Sequence, residues 1–460
     1  MQKKGRSKSR SRSESLSRPI VKKPLTPPRI LVAGFLVAIV IGTILLALPI
    51  ASVGTPLDPV SALFTATSAI CITGLTVVDT GTELSLFGQV VVLVLVQVGG
   101  LGIATVSTLV ALLLGRSIGL RNRLLIRETF HNITMAGLVR LTRYIIGVTL
   151  VCELCGAAVL AVRWWSALGP KALWWGLFHA VSAFNNAGFT LTGGYRSLAP
   201  FAGDVVVNLV VAFLFIAGGL GFFVLAELTD RKRLHLSLHS RIVIYISALL
   251  TLVGFIFILA LEWSNPATLG ALPPAGRPLA ALFQSLSPRT AGFNTVSVSG
   301  MHQATLVLLM FYMFVGASPG GTGGGIKTTT LASVGAYVVA IIKNKDDPEI
   351  FRRRITSGAV RKALAVAALS AFCLVIFVML LTVIDGERFA FHEILFETVS
   401  AFGTAGLSMG ITSSLSDAGR LLLAVVMFIG RIGPLTLAAA LTEPDPRHAV
   451  RYVSEPVIIG

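Results

Sequence analysis

The sequence predicts an all-α membrane protein: four pseudo-repeats of helix, re-entrant pore half-helix and helix around a central pore, with eight spanning helices. Three observations predict it. The 460 residues are 54% hydrophobic and only 13% charged, with a mean hydropathy of +0.83, whereas soluble domains carry about 25% charged residues. Apolar runs of spanning length, roughly 17–25 residues, recur along the whole chain. One short segment also returns four times, as LFTATSAICITGL at 63–75, LFHAVSAFNNAGF at 177–189, LFQSLSPRTAGF at 282–293 and LFETVSAFGTAGL at 395–407. Each copy opens on Leu-Phe, has Ser four residues after the Phe, and closes on one Gly: Gly74, Gly188, Gly292, Gly406. A period this long belongs to small domains rather than solenoid units.

The charge is unevenly spread. Of 38 Lys/Arg, residues 1–29 hold ten, and 116–143, 227–241, 343–362 and 443–460 add six, four, seven and two. The positive-inside rule assigns these segments to the cytoplasm. Both termini are then cytoplasmic and the number of spans is even, as expected of a multi-pass protein of the cell membrane.

Residues 1–29, rich in Arg, Ser and Lys, read as a disordered basic tail. Such a tail either attracts anionic membrane lipids or is a solvated segment that helps fix topology. It lacks the aromatic interleaving and folded reader of a nucleic-acid binder, and it is too charged for a signal-peptide core. The repeats follow at 30–114, 115–229, 230–342 and 343–460, the last including a C-terminal tail. Each begins with a spanning helix, at 30–51, 143–163, 241–262 and 361–385. Half-helices too short to cross follow at 59–71, 173–185, 278–288 and 391–402. Second spans are expected at 85–114, 203–229, 303–342 (interrupted) and 417–441. Non-helical backbone at membrane depth is tolerated only inside protein or around water, so four re-entrant segments imply a central pore.

A dehydrated monovalent cation needs its water oxygens replaced, and rings of backbone carbonyls do that. Turning carbonyls from four segments toward one axis asks for Gly. The candidate filter is Thr73-Gly74-Leu75, Ala187-Gly188-Phe189, Ala291-Gly292-Phe293 and Ala405-Gly406-Leu407. The half-helices aim their negative C-terminal ends at it. The candidate gate is the break in the third repeat, GASPGGTGGG at 316–325, followed by Lys327. Its named members are Gly316, Ser318, Pro319, Gly320, Gly321, Thr322, Gly323, Gly324 and Gly325. Six Gly and one Pro in ten residues exceed an ordinary kink, since each Gly costs about 1 kcal/mol of helix and Pro about 3. The stretch misses the phosphate-loop pattern GxxxxGK[ST] by one residue and follows no strand. Arg431 completes the gate: it lies ~15 Å from either end of an apolar helix, too deep to snorkel easily, a charge expected to act on the ion path, to pair with carbonyls of the broken helix, or both. Gly99-Gly100 and Gly218-Gly219 mark the same level and suit close helix approach. Glu153 is a further buried charge, read as paired or protonated and off the ion path. Cys152 and Cys155, without a second pair or a neighbouring His, read as packing residues.

Helix–half-helix–helix repeats carrying NNAGF, RTAGFNT, the Gly-rich break and FIGRIGP resemble the Trk/Ktr/HKT superfamily of potassium transporters. The likeness spans residues 30–460 and is strongest to the KtrB type, because the chain starts at its first repeat. The resemblance implies potassium uptake with no cofactor in this chain, and Gly74 at the first filter position goes with potassium over sodium. It also implies an intramembrane gating loop, activation by sodium, a homodimer, and a cytoplasmic nucleotide-binding regulatory ring of the KtrA type. Three rival readings stand beside it, the first a sodium or non-selective monovalent cation transporter of the same architecture. An alternating-access transporter would show inverted halves and helices broken at matching positions, whereas only one break is read here. An intramembrane enzyme would need a nucleophile–base or metal cluster, and none is read.

Overall fold

The computed structural model describes residues 27–102, 105, 135–230 and 235–441. Most of the basic tail, the core of the 116–143 connection, part of 227–241 and the C-terminal tail lie outside the described residues, as does the distal part of the helix expected at 85–114.

The described residues are mostly helical. The chain runs α1 (Pro27–Leu46), α2 (Pro59–Cys71), α3 (Leu86–Leu101), α4 (Met135–Leu168), α5 (Lys171–Phe184), α6 (Val205–Leu220), α7 (Phe222–Thr229) and α8 (Leu238–Glu262). It continues with α9 (Arg277–Leu286), α10 (Gln303–Phe314), α11 (Thr328–Ile342), a hairpin of β1 (Glu349–Ile350) and β2 (Arg353–Arg354), α12 (Ser357–Asp385), α13 (Phe391–Gly403), α14 (Asp417–Ile432) and α15 (Pro434–Leu441).

Among the described residues, four single helices are long and apolar enough to cross a membrane: α1, α4, α8 and α12. The short helices α2, α5, α9 and α13 match the expected half-helices to within two residues. They are the most deeply buried elements, and the repeated Phe explains why: Phe64, Phe178, Phe283 and Phe396 are at most 2% exposed. Burying one such ring contributes about 1.5–3 kcal/mol. Three apolar cores wrap these helices, α1–α3 with α14 in one, α4–α6 in the second, and α8–α10 with α13 in the third. The outer faces of the long helices leave large apolar residues exposed, such as Val162 and Val383.

The second helix of each set departs from expectation. Among the described residues, the eight expected spans are not all continuous helices. Helices α3, α6 and α14 have 16 residues each, ~24 Å of rise, short of a ~30 Å hydrocarbon core. They stop at Gly102, Gly221 and Gly433, whose φ of 78°, 96° and 87° is paired with extended ψ. Side chains resist that conformation. At Gly221 the chain bends by 103° into α7, and at Gly433 by 91° into α15. The break is therefore not confined to the third set, and the sequence marks it each time, as GGLG at 99–102, GGLG at 218–221 and GRIG at 430–433.

A candidate ion pathway

Each half-helix ends by turning its backbone left-handed two residues before the repeated Gly. Ile72, Asn186, Thr290 and Thr404 have φ of 58°, 59°, 74° and 49°, and Gly74, Gly188, Gly292 and Gly406 have φ of 83°, 73°, 75° and 80°. Two positive φ values, one residue apart, set the backbone between and after them. The repeated Ser holds this shape. Its carbonyl accepts from the NH of Thr73, Ala187, Ala291 and Ala405 at 2.8–2.9 Å in all four copies. The hydroxyls of Ser68 and Ser182 donate to the carbonyls of Leu75 and Phe189 at 2.7 and 2.8 Å, and Ser287 donates to Phe293. The fourth copy lacks this clamp: the hydroxyl of Ser400 has no partner.

The four glycines close into a ring. A Cβ placed on Gly188 would lie 3.0 Å from Cα of Gly292; on Gly292, 3.1 Å from Gly188 and 3.4 Å from Gly406; on Gly406, 3.2 Å from Gly74; and on Gly74, 3.2 Å from Gly188. Any side chain here would fill the axis. The ring sits just past the carbonyl ends of four buried helices, where the partial charge is negative. Above it opens a polar cavity of about 190 Å³ lined by all four glycines with Thr76, Asp79, Thr190, Asn294, Ser408 and Thr412 among others. Its wall is braced by two buried carboxylates: Asp79 accepts from the NH groups of Gly81 and Gly194, and Glu397 from Met409 NH, Ser408 and Thr412.

The Gly-rich loop lies against the other side of the ring. Between Val315 and Ile326, which form a lone bridge, the chain leaves α10 and re-enters as α11. Ser318 and Thr322 NH donate to the carbonyls of Gly219 and Gly218 at 3.1 Å each, and the Thr322 hydroxyl donates to Phe184 O at 3.3 Å. Gly324 NH donates to the Thr404 hydroxyl at 3.1 Å. Side chains at Gly323 and Gly324 would collide with Thr290 and Thr404, so the loop touches the residues that form the floor of the ring. Ser318 and Thr328 share a hydrogen bond at 3.0 Å.

The two cations of the candidate gate are both occupied by carbonyls. Lys327 Nζ donates to Gly323 O at 2.7 Å and Gly324 O at 3.0 Å, folding back on the loop it follows. Arg431 donates to Thr322 O through Nη1 and to Gly99 O through Nη2, the latter at 2.5 Å. It therefore ties the loop to α3. The glycines at its level serve packing: side chains on Gly99, Gly218 and Gly430 would strike the carbonyls of Ile70, Phe184 and Phe402 at the half-helix ends.

The four candidate filter glycines thus meet at one ring, against the carbonyls of Thr73, Ala187, Ala291 and Ala405, while Leu75, Phe189, Phe293 and Leu407 turn their side chains into the apolar cores, and the candidate gate residues lie in or on the loop beneath the ring. Glu153 is off this axis, with its carboxylate taking the amide groups of Asn185 at 3.0 Å and Gln97 at 3.4 Å. Cys152 packs partly buried beside the second core, but Cys155 is exposed, so packing explains only one of the pair. Sequence reasoning missed the left-handed residues before each Gly, of which Asn186 and Thr290 also meet side chain to side chain at 3.2 Å. It also missed the role of the repeated Ser, although that Ser was visible as part of the repeat.

Residues 23–448 match the family model of TrkH, described as cation transport protein. The chain is 41% identical over 437 residues to Ktr system potassium uptake protein B of Bacillus subtilis (strain 168), covering 95% of this chain and 97% of that protein. It is 40% identical to the protein of the same name from Vibrio alginolyticus, covering 94% and 95%. It is 36% identical to the potassium/sodium uptake protein NtpJ of Enterococcus hirae, covering 96% and 98%. Among solved structures, the potassium transporter TrkH from Vibrio parahaemolyticus superposes with a TM-score of 0.71 at 20% identity, covering 92% of this chain and 87% of that one, a likeness of fold. On the matched residues and the identities together, this chain belongs to the TrkH family of cation transport proteins.

Proposed function

We propose that this protein is the membrane subunit of a Ktr-type system that takes up potassium through the ring of Gly74, Gly188, Gly292 and Gly406. The single observation that carries the reading is that ring, closed by four left-handed glycines with a braced polar cavity on one side and a hydrogen-bonded plug on the other. Four pseudo-repeats, 30–114, 115–229, 230–342 and 343–460, each contribute one half-helix and one filter strand. Three relatives bear names of potassium or potassium/sodium uptake. Inward flow is driven by the membrane potential, worth about 2.3 kcal/mol per charge per 100 mV. The loop Gly316–Gly325, with Lys327 and Arg431, is the gate.

The same reading makes the protein a homodimer with both termini cytoplasmic. Its basic connections at 116–143, 227–241 and 343–362 dock a cytoplasmic nucleotide-binding ring of the KtrA type, and sodium acts as activator. The breaks at Gly221 and Gly433 remove one argument against an alternating-access mechanism, since helices are bent at matching positions. The geometry still favours a gated pore, because the plug lies directly under a continuous ring rather than between two moving halves. Potassium flux into proteoliposomes tests this: channel-like rates that fall on filter substitution support the pore, and slow saturating exchange would replace it with alternating access.

A further inference from the structure

Among the described residues, the hairpin between α11 and α12 holds the one two-stranded sheet. Its two strands pair Glu349 with Arg354 and Ile350 with Arg353. The two-residue tip is Phe351-Arg352, with φ of 52° and 59°. Two-residue hairpin tips with both residues at positive φ strongly favour Asn-Gly or Asp-Gly, and a bulky residue there is a genuine outlier. Strain of this kind points to a use for the side chains rather than for the turn.

Those side chains form a two-layered surface. Ile350 and Phe351 line an apolar groove of about 440 Å³ together with Tyr245, Ile246, Leu331 and Val339 of α8 and α11. The Phe351 ring packs edge-on to Tyr245 at 5.6 Å while remaining 44% exposed. The groove runs into the outer face of α11, where Ile341 and Ile342 are exposed. The same connection carries exposed cations: Lys343 just after α11, Arg352 and Arg353 in the hairpin, and Arg361 near the start of α12. Arg353 is the cross-strand partner of Ile350, so both side chains leave the same face of the hairpin. The nearby acids are Asp346, Asp347 and Glu349, of which Asp347 pairs with Arg354 and Glu349 with Lys345.

We infer that this hairpin is a binding site for an anionic phospholipid, with its phosphate at Arg352 and Arg353 and its acyl chains along the groove between α8 and α11. The charge sign, the apolar slot that opens onto a membrane-facing helix, and an aromatic anchored at the boundary fit that ligand together. Clusters of basic residues at the cytoplasmic end of a spanning helix attract acidic lipid. Because α11 begins just after Lys327, the site sits at the far end of the helix that leaves the loop. The inference does not depend on the ion the protein carries. It moves the hairpin tip, though not the remaining basic connections, from a docking face for a protein ring to a contact with the bilayer.

The test is native mass spectrometry of the full-length protein from nanodiscs of mixed phosphatidylglycerol and phosphatidylcholine. The unaltered protein should retain phosphatidylglycerol selectively. Arg352→Gln with Arg353→Gln should weaken that retention roughly 30-fold, since each basic residue near the surface contributes about 1 kcal/mol. Replacing both Arg by Lys should preserve most of it. Phe351→Asn with Arg352→Gly supplies the turn residues the backbone prefers, so it should raise thermal stability while weakening retention, which separates binding from misfolding. Equal retention by all variants would overturn the inference. Unchanged lipid retention with lost binding of a nucleotide-binding ring would overturn it as well, and would assign the tip to protein docking.

Discussion

The ring and the loop beneath it are both glycine-rich, and they use glycine for different reasons. In the ring all four glycines hold positive φ, and buried hydroxyls or carbonyls from the preceding half-helix fix the result. In the loop only Gly320 and Gly325 have positive φ. Gly316, Gly323 and Gly324 are there because side chains would strike Gly324 O, Thr290 and Thr404. The ring is therefore a shape held from within its own segments. The loop is a plug held from outside, by Lys327, Arg431, Thr404 and the carbonyls of Gly218 and Gly219. A part held by its own segment resists change, whereas a part held by borrowed contacts is released when they are removed.

The largest expected effect comes from breaking the ring. Gly74→Ser places a side chain at φ of 83° and against the Ala187 carbonyl, a backbone cost of about 1–3 kcal/mol. Apparent potassium affinity should fall about tenfold or more, and the preference for potassium over sodium should shrink. Uptake curves for both ions in an inserted variant check this, and unchanged curves would remove Gly74 from the filter. Gly188, Gly292 and Gly406 should respond in the same direction.

Releasing the loop should act oppositely. Arg431→Ala removes two hydrogen bonds from a charged donor, each worth roughly 1.5–3 kcal/mol. Basal potassium flux should rise about tenfold and depend less on a regulatory ring. Shortening Gly316–Gly325 should raise it further, and the double change should give less than the sum because both relieve one barrier. Additive effects, or flux lost on shortening, would show that Arg and loop do not form a common gate.

A subtler contrast lies inside the ring. Ser68→Ala and Ser182→Ala each delete a clamp on a filter carbonyl, worth about 1 kcal/mol, and should lower selectivity about fivefold. Ser400→Ala should change selectivity by less than about twofold, because its hydroxyl holds nothing. A loss at Ser400 equal to that at Ser68 would mean that the hydroxyl is not the element that matters.

The smallest effect concerns the outer end of α2. Asp58 caps that helix by accepting from Ser61 NH at 2.9 Å. Partial burial pushes its carboxyl up, but hydrogen bonds from Ser61 and the Arg420 charge outweigh this and hold it below the ordinary carboxylate range. A lowered native value means that its stabilisation is present above about pH 4 and is lost as pH falls through the native value. Asp58→Asn should thus leave stability near neutral pH within about 0.5 kcal/mol and flatten the acid limb of a melting-temperature profile. An unaltered acid limb would remove Asp58 from that titration.

Much of the site was legible because repetition advertises it. The single Gly marked the candidate ring, and the half-helix limits followed from the length of each copy. The breaks at Gly102, Gly221 and Gly433 were equally written, as a Gly three residues after the one that packs on a half-helix. They were hidden because hydropathy continues across them: α6 and α7 are both apolar, so a window of composition reads one span where the backbone turns by 103°. Glu153 and Arg431 were recognised as deep charges, yet no local pattern names their partners, since Gly99 lies 332 residues from Arg431 and Asn185 lies 32 from Glu153.

By itself, the sequence determined the membrane class, the fourfold recurrence, and that the closing Gly of each copy could adopt left-handed backbone, because these depend on composition, period and local sterics. Only the tertiary structure decided that the four glycines touch one another, that the Ser hydroxyls turn back onto filter carbonyls in three copies but not in the fourth, and that Arg431 spends its hydrogen bonds on Thr322 and Gly99. Those choices rest on which carbonyl lies within about 3 Å of which donor, a distance that packing sets both within one segment, as for Ser68 and Leu75, and across 332 residues, as for Arg431 and Gly99.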